Sequence, residues 1–195
     1  MTAAAHIAVG AAICSRSRYP WLGLPAAFAS HFLMDAWPHF EQTAVVSEAV
    51  GLSQRLVTNA YYAVDWAALI LVIILLLRRL RPRLDRRRLA YIVGGGLLAD
   101  LPDWLKGIGG HDAWFATFHG ALHTQTYWSD TLHRYFTDRS VPPTQGYPTE
   151  ELIHSPWAWA GWALMVGWEV ALIVIGARIA MAAPQAVVGA APGGD

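Results

Sequence analysis

The segment from Tyr61 to Leu77, YYAVDWAALILVIILLL, constrains the fold more than any other stretch. It is an apolar run interrupted by a single carboxylate, Asp65, and a run this continuous must be withdrawn from water. An α-helix rises about 1.5 Å per residue, so roughly 20 apolar residues cross a hydrocarbon core. With apolar residues extending back towards Leu56, this segment is read as a transmembrane helix. Pro156 to Ala183 is read as a second span, because a proline suited to a first helical turn and the aromatic WAWAGW precede a long Leu, Val and Ile run. Leu89 to Leu105 is read as a third: its Gly94-Gly95-Gly96 triplet weakens a helix in water but permits close helix approach. Shorter helices are expected from Thr2 to Cys14 and from Trp21 to Trp37. The expected fold class is therefore all-α, a multi-pass membrane bundle of about five helices.

Composition agrees with this expectation. The chain is 55% hydrophobic and 14% charged, and ten tryptophans, many near the ends of apolar stretches, suit a membrane-water boundary. Zero net charge excludes a polybasic nucleic-acid binder, so no nucleic acid is expected as a partner. Cys14 is the sole cysteine, which rules out an internal disulfide or a thiolate zinc cage and leaves His, Asp and Glu as metal ligands. Residues 1–183 are expected to form one helical membrane domain, with an outer lid-like segment at 106–155 and a frayed tail at 184–195. Half of the 14 basic residues lie between Arg78 and Arg88, which places that turn in the cytoplasm. The N-terminus is then expected outside, the C-terminus inside, and the protein in the cytoplasmic membrane. No removable signal peptide is read at the N-terminus.

The polar residues beside these helices carry the functional information, since ionisable groups at such depth are costly unless paired or coordinated. In SHFLMDAWPHF, His31 and Asp35 are four apart and share a helix face, and Pro38 is expected to end the helix and return His39 towards them. In LLADLPDW, Asp100 and Asp103 are read as flanking a helix end broken by Pro102, and close carboxylates of this kind recur in divalent-metal sites. FHGALHT puts His119 and His123 at the i, i+4 spacing of a two-histidine site, and His6 lies early on the first apolar helix. Each motif alone is equally readable as a capped helix end or a hydrogen-bonded core histidine. The topology derived from the arginines nonetheless sends all of them to one end of the bundle. That agreement predicts a metal site from His6, His31, Asp35, His39, Asp100, Asp103, His119 and His123, with Asp35 and Asp103 as catalytic carboxylates. The divalent ion is expected to be zinc, two or more ions being accommodated, while a carboxylate-rich half could take manganese or magnesium. Asp65 and Glu169, in the two best spans, are read either as outer carboxylates or relays serving the site, or as interhelical hydrogen bonds that fix packing. His133 and His154 are read as solvent-exposed.

These motifs resemble those of bacterial integral-membrane proteins described as metal-dependent hydrolases. Met1, Thr2, His6 and Gly10 match that family's N-terminal pattern, and Ser30, His31 and Asp35 match its Ser-His-x-x-x-Asp helix. Asp100 and Asp103 resemble its aspartate pair, with Ala99 where proline is usual. His119, Gly120, His123 and Thr124 are similar to its His-Arg-Gly segment but lack the arginine. The Ser-His helix precedes the aspartate pair here, the reverse of the family's order. His31, Asp35 and His39 are also similar to the His-x-x-x-Asp arrangement of zinc-dependent phospholipase C and single-strand nucleases. The resemblance implies hydrolysis of a phosphate ester or lipid head group at the outer membrane surface, with membrane lipids as partners. A metal-ion transporter and a metal-stabilised structural or interaction protein remain open alternatives. The bond cleaved and the oligomeric state are not fixed by the sequence.

Overall fold

The computed structural model describes residues 2–35, 52–109 and 158–182, which form five helices and, among the described residues, no strand. In chain order they are α1 (Ala3–Arg16), α2 (Pro20–Asp35), α3 (Leu52–Leu80), α4 (Arg86–Gly109) and α5 (Ala158–Met181). The all-helical expectation holds. The expected elements correspond to the five helices, although α3 and α4 run further than the apolar runs alone suggested.

α1 is the central helix and packs against all four others, most extensively against α4 and α5. Its sequence, AAAHIAVGAAICSR, explains this position: alanine is the best helix former, and small side chains let neighbouring backbones come close. Ala4, Ala5, Ile7, Ala8, Ala11 and Cys14 are all buried, joined in the core by Leu69, Val72 and Leu76 of α3 and Ile92 of α4. The glycine triplet acts where it touches α1. A Cβ on Gly96 would lie 2.8 Å from the Ile7 carbonyl oxygen, and one on Gly95 would collide with the Cys14 sulfur, whereas Gly94 faces open space. On the other side, a Cβ on Gly176 of α5 would meet the Ala8 backbone at 2.8 Å.

Both ends of α1 are capped from other elements. Thr2 occupies the N-cap position without a side-chain cap, and Asp65 of α3 takes that role. The amides of Ala3 and Ala4 donate to its carboxylate oxygens at 3.2 and 3.3 Å, which sets a negative group at the positive end of the helix dipole. At the other end, the Arg88 guanidinium donates to the carbonyls of Ser17 at 2.9 Å and Ser15 at 2.8 Å. Asp65 thus makes an interhelical hydrogen bond of the kind its packing reading expects.

The membrane part of the expectation is overturned. Among the described residues no helix is long and apolar enough to cross a membrane. The reason lies in where the charges fall. In α3 the uninterrupted apolar stretch is confined between Asp65, engaged at the N-terminus of α1, and Arg78, well short of the roughly 20 residues a span needs. α4 begins with Arg86, Arg87 and Arg88 and carries Asp100 and Asp103, and the described part of α5 holds the buried Glu169 and then Arg178. The cytoplasmic-membrane placement and the inside-outside orientation fall with the spans. A second correction concerns Pro102, which lies buried within α4 rather than at its end.

Candidate metal centre

Three helices bring their ligand-type side chains to the end of the bundle where α1 begins. His6 sits in the first turns of α1, His31 and Asp35 occupy the last turns of α2, and Asp103 lies on α4 one turn beyond Ala99. One ligand atom from each of His6, His31, Asp35 and Asp103 falls within 4.8 Å of all the others. His6 Nε2 is 3.2 Å from Asp35 Oδ1, His31 Nε2 is 2.9 Å from Asp35 Oδ2, and His31 Nε2 is 3.8 Å from Asp103 Oδ1. Ligands about 2.1 Å from a tetrahedral ion stand roughly 3.4 Å apart, so these separations bracket what such an ion requires.

The tautomer of His31 is fixed by its surroundings. Its Nδ1 lies 2.9 Å from the carbonyl oxygen of Ala99; a carbonyl only accepts, so Nδ1 carries the proton and donates. Nε2 then presents its lone pair to Asp35, itself an acceptor, unless a second proton or a cation stands between them. A histidine whose outer nitrogen donates to a carbonyl while the inner one faces carboxylates is the arrangement metal sites use to orient an imidazole. Pro102 contributes locally: having no N–H, it cannot donate to the carbonyl one turn earlier in α4.

His6 completes the geometry. Its ring stacks on that of His31 with centroids 4.2 Å apart and planes at 28°. Its Nε2 approaches Asp35 closely but outside hydrogen-bond alignment, and neither of its ring nitrogens has a hydrogen-bond partner among the described residues. Burial lowers the pKa of this imidazole against the raising effect of Asp35, which favours the neutral ring, the form able to bind a cation. His6, His31 and Asp35 are at most 2% exposed, whereas the Asp103 side chain is 34% exposed and marks the open side.

Asp100 stands beside the four-ligand set. It is buried, its Oδ2 accepts a hydrogen bond from Trp104 Nε1 at 2.5 Å, and its Oδ1 has no partner among the described residues. Burial, with a smaller contribution from Asp103, pushes its pKa up to about 6. The expected ligands His39, His119 and His123 lie outside the described residues, as do His133, His154 and residues 110–155 of the lid-like segment, whose first residues, 106–109, belong instead to the end of α4. Glu169 is buried on α5. Sequence reasoning missed the Ala99 carbonyl and Trp104. The first is a backbone group without a residue-type signature, and the second was visible only as the residue four beyond Asp100.

No known protein-family model, curated protein or solved structure matches this chain. The functional argument therefore rests on the residues themselves.

Proposed function

We propose that this protein is a metal-dependent hydrolase of phosphate esters, with a zinc ion held by His6, His31, Asp35 and Asp103. The observation that carries the reading is the convergence of two imidazole Nε2 atoms on one buried carboxylate, with the His31 Nδ1 proton already committed to Ala99. Two neutral imidazoles and two carboxylates suit zinc, with manganese the nearest competitor. When bound, a divalent cation supplies Lewis acidity towards a phosphoryl oxygen and brings the pKa of a water towards neutrality. The chain's own residues supply the rest. His31 is oriented by Ala99, burial favours the neutral form of His6, and Asp35 joins both rings from the closed side. Asp103, on the open side, has one oxygen turned towards His31 and is exposed enough to meet a substrate and take a proton. The similarity of the His31 and Asp35 helix and of the Asp100 and Asp103 pair to metal-dependent hydrolase motifs supports the same reading.

One observation favours a second reading, a structural ion: three of the four ligands are closed to solvent, and structural sites are closed where catalytic ones keep a free position. The test is elemental analysis of the purified full chain, followed by assay of the zinc-loaded protein on phosphate mono- and diesters. Stoichiometric metal lost in His31→Ala, with turnover lost in Asp103→Asn, is the expected result. Bound metal without turnover on any ester replaces the hydrolase with the structural reading, and protein that takes up no metal removes both.

A further inference from the structure

Two exposed aromatic pairs stand at opposite ends of the bundle, and the charges around them differ in sign. At the end where α1 begins, the indoles of Trp66 on α3 and Trp104 on α4 meet with ring centroids 6.5 Å apart and planes tilted by 59°. Both are about half exposed, at 52% and 47%. Each follows a carboxylate, Asp65 and Asp103, and the Trp104 Nε1–H donates to a third, Asp100. These carboxylates are close enough to act on one another, Asp103 on both Asp65 and Asp100, and Asp65 on Asp100. Of positive groups, the N-terminal amine acts on Asp65 and His31 on Asp100. At the end where α1 finishes, Tyr19 and Trp21 lie 6.0 Å apart and are also exposed. Exposed Arg16 and Arg18 precede them, and Arg88 reaches the carbonyls of Ser15 and Ser17 beside them.

We infer that the indoles of Trp66 and Trp104 bind a methylated ammonium group. The face of an indole attracts a cation standing within about 6 Å of the ring centre, and centroids 6.5 Å apart allow one cation to meet that condition for both rings. Charge selects the occupant: three carboxylates favour a cation here, whereas the arginines beside Tyr19 and Trp21 repel one. Methylation is selected by how the carboxylate oxygens are already used. Asp65 accepts from the amides of Ala3 and Ala4, Asp100 Oδ2 accepts from Trp104, Asp103 Oδ1 faces His31, and Asp100 Oδ1 is buried. A primary ammonium or a hydrated metal ion at the indoles would shed water and find few free oxygens to replace it. A methylated ammonium needs only π surface and through-space charge. The exposed α3 residues beside Trp66, among them Val64, Ile70 and Leu71, are aliphatic and offer a cation neither. The inference does not rest on the hydrolase reading, since of these residues only Asp103 belongs to the metal cluster.

The experiment titrates the purified full chain at pH 8 with tetramethylammonium chloride and, separately, with tert-butanol, a neutral group of similar shape, at constant ionic strength. Both metal-free and zinc-loaded protein are used. The readout is the set of tryptophan Nε1–H resonances in NMR spectra, with Trp21, Trp66 and Trp104 assigned by single replacement with Leu. Saturable shifts at Trp66 and Trp104 are expected with tetramethylammonium alone, in both forms of the protein. Trp66→Leu should lower the affinity read at Trp104 by roughly 2- to 30-fold, the range of one cation–π contact. Asp100→Asn, which removes the charge and keeps an acceptor for the Trp104 N–H, should weaken binding as well, and Trp21→Leu should leave it unchanged. Trp66 and Trp104 are half exposed, so their replacement does not open the core, and the remaining indole signals report an intact fold. An equal response to tert-butanol overturns the inference, as does an affinity unaffected by Trp66→Leu or shifts at Trp21 as large as those at Trp104. Binding that zinc abolishes also overturns it, because the cation then sits in the metal cluster. No turnover enters the measurement, so its failure leaves the hydrolase reading as it stood.

Discussion

The imidazoles of His6 and His31, from two different helices, stack 4.2 Å apart with the Asp35 carboxylate reaching the Nε2 atom of each. Two imidazolium rings at that separation would repel, so double protonation works against this stacked arrangement.

The first prediction is that the two histidines act as one site. Replacing either with Ala should reduce zinc affinity by more than the roughly 10- to 100-fold that loss of an outer hydrogen bond alone produces. The double replacement should cost far less than the sum of the two. Competition against a chromophoric chelator measures all three values. A His6→Ala protein that binds zinc as tightly as the parent would exclude His6 from the site.

The second prediction concerns Asp65. Its carboxylate caps α1 three residues before His6, so Asp65→Ala should remove a helix cap and loosen the placement of that ligand together. The expected cost is about 0.5–2 kcal/mol in urea unfolding, with weaker metal binding beyond it. Asp65→Asn keeps an acceptor oxygen and should recover most of the stability. If Asp65→Ala leaves metal affinity unchanged, the cap holds the helix without positioning the ligand.

Much of the site was legible because it lies in local spacing. His31 and Asp35 share a face wherever that segment is helical, and Asp103 follows Asp100 by one turn. His6 has no such local partner and entered through the helix topology read from the arginines, which put it at the same end of the bundle. What failed were inferences needing a partner from elsewhere in the chain. An apolar run has the same pattern whether lipid or protein covers it, and the pattern does not reveal that Asp65 is engaged with α1. Pro102 was read as a helix stop because proline lacks a donor and clashes with the preceding turn. In α4 the helix continues past it, and the neighbouring Ala99 carbonyl is engaged by His31. That contact joins residues 68 apart in sequence, and no one-dimensional pattern encodes it.

The third prediction uses the glycine triplet as its own control. Gly96→Ala should destabilise the protein by about 1–3 kcal/mol, because the new methyl meets the Ile7 backbone and neither helix can yield without disturbing the other. Gly94→Ala, facing open space on the same helix, should stabilise it by up to about 1 kcal/mol through helix propensity. Opposite signs in urea unfolding are the expected outcome. Equal effects would mean that α1 and α4 are not in backbone contact at Gly96.

The last prediction is a pH dependence carried by Asp100. Its folded pKa, about 6, lies above the ordinary carboxylate value of 3.8, because burial disfavours the charged form. Between these values the folded state binds more protons than the unfolded chain, so this group's contribution favours folding below pH 4 and is lost as pH rises through about 6. Above that pH the metal-free protein carries a buried carboxylate whose penalty is on the order of 3 kcal/mol at most. Asp100→Asn removes the charge and keeps an oxygen to accept the Trp104 N–H. It should therefore stabilise the metal-free protein at pH 8, with a gain that shrinks steadily towards pH 4. His6 titrates in the opposite sense: its lowered pKa costs stability as pH falls below 6.5, but it is present in both proteins and cancels in the difference. Urea titrations of the two proteins at pH 4, 6 and 8 measure that difference directly. A gain that does not depend on pH would show that Asp100 has the same pKa in the folded and unfolded protein, so that burial does not shift it. A loss of stability at pH 8 would show that a partner compensates its charge.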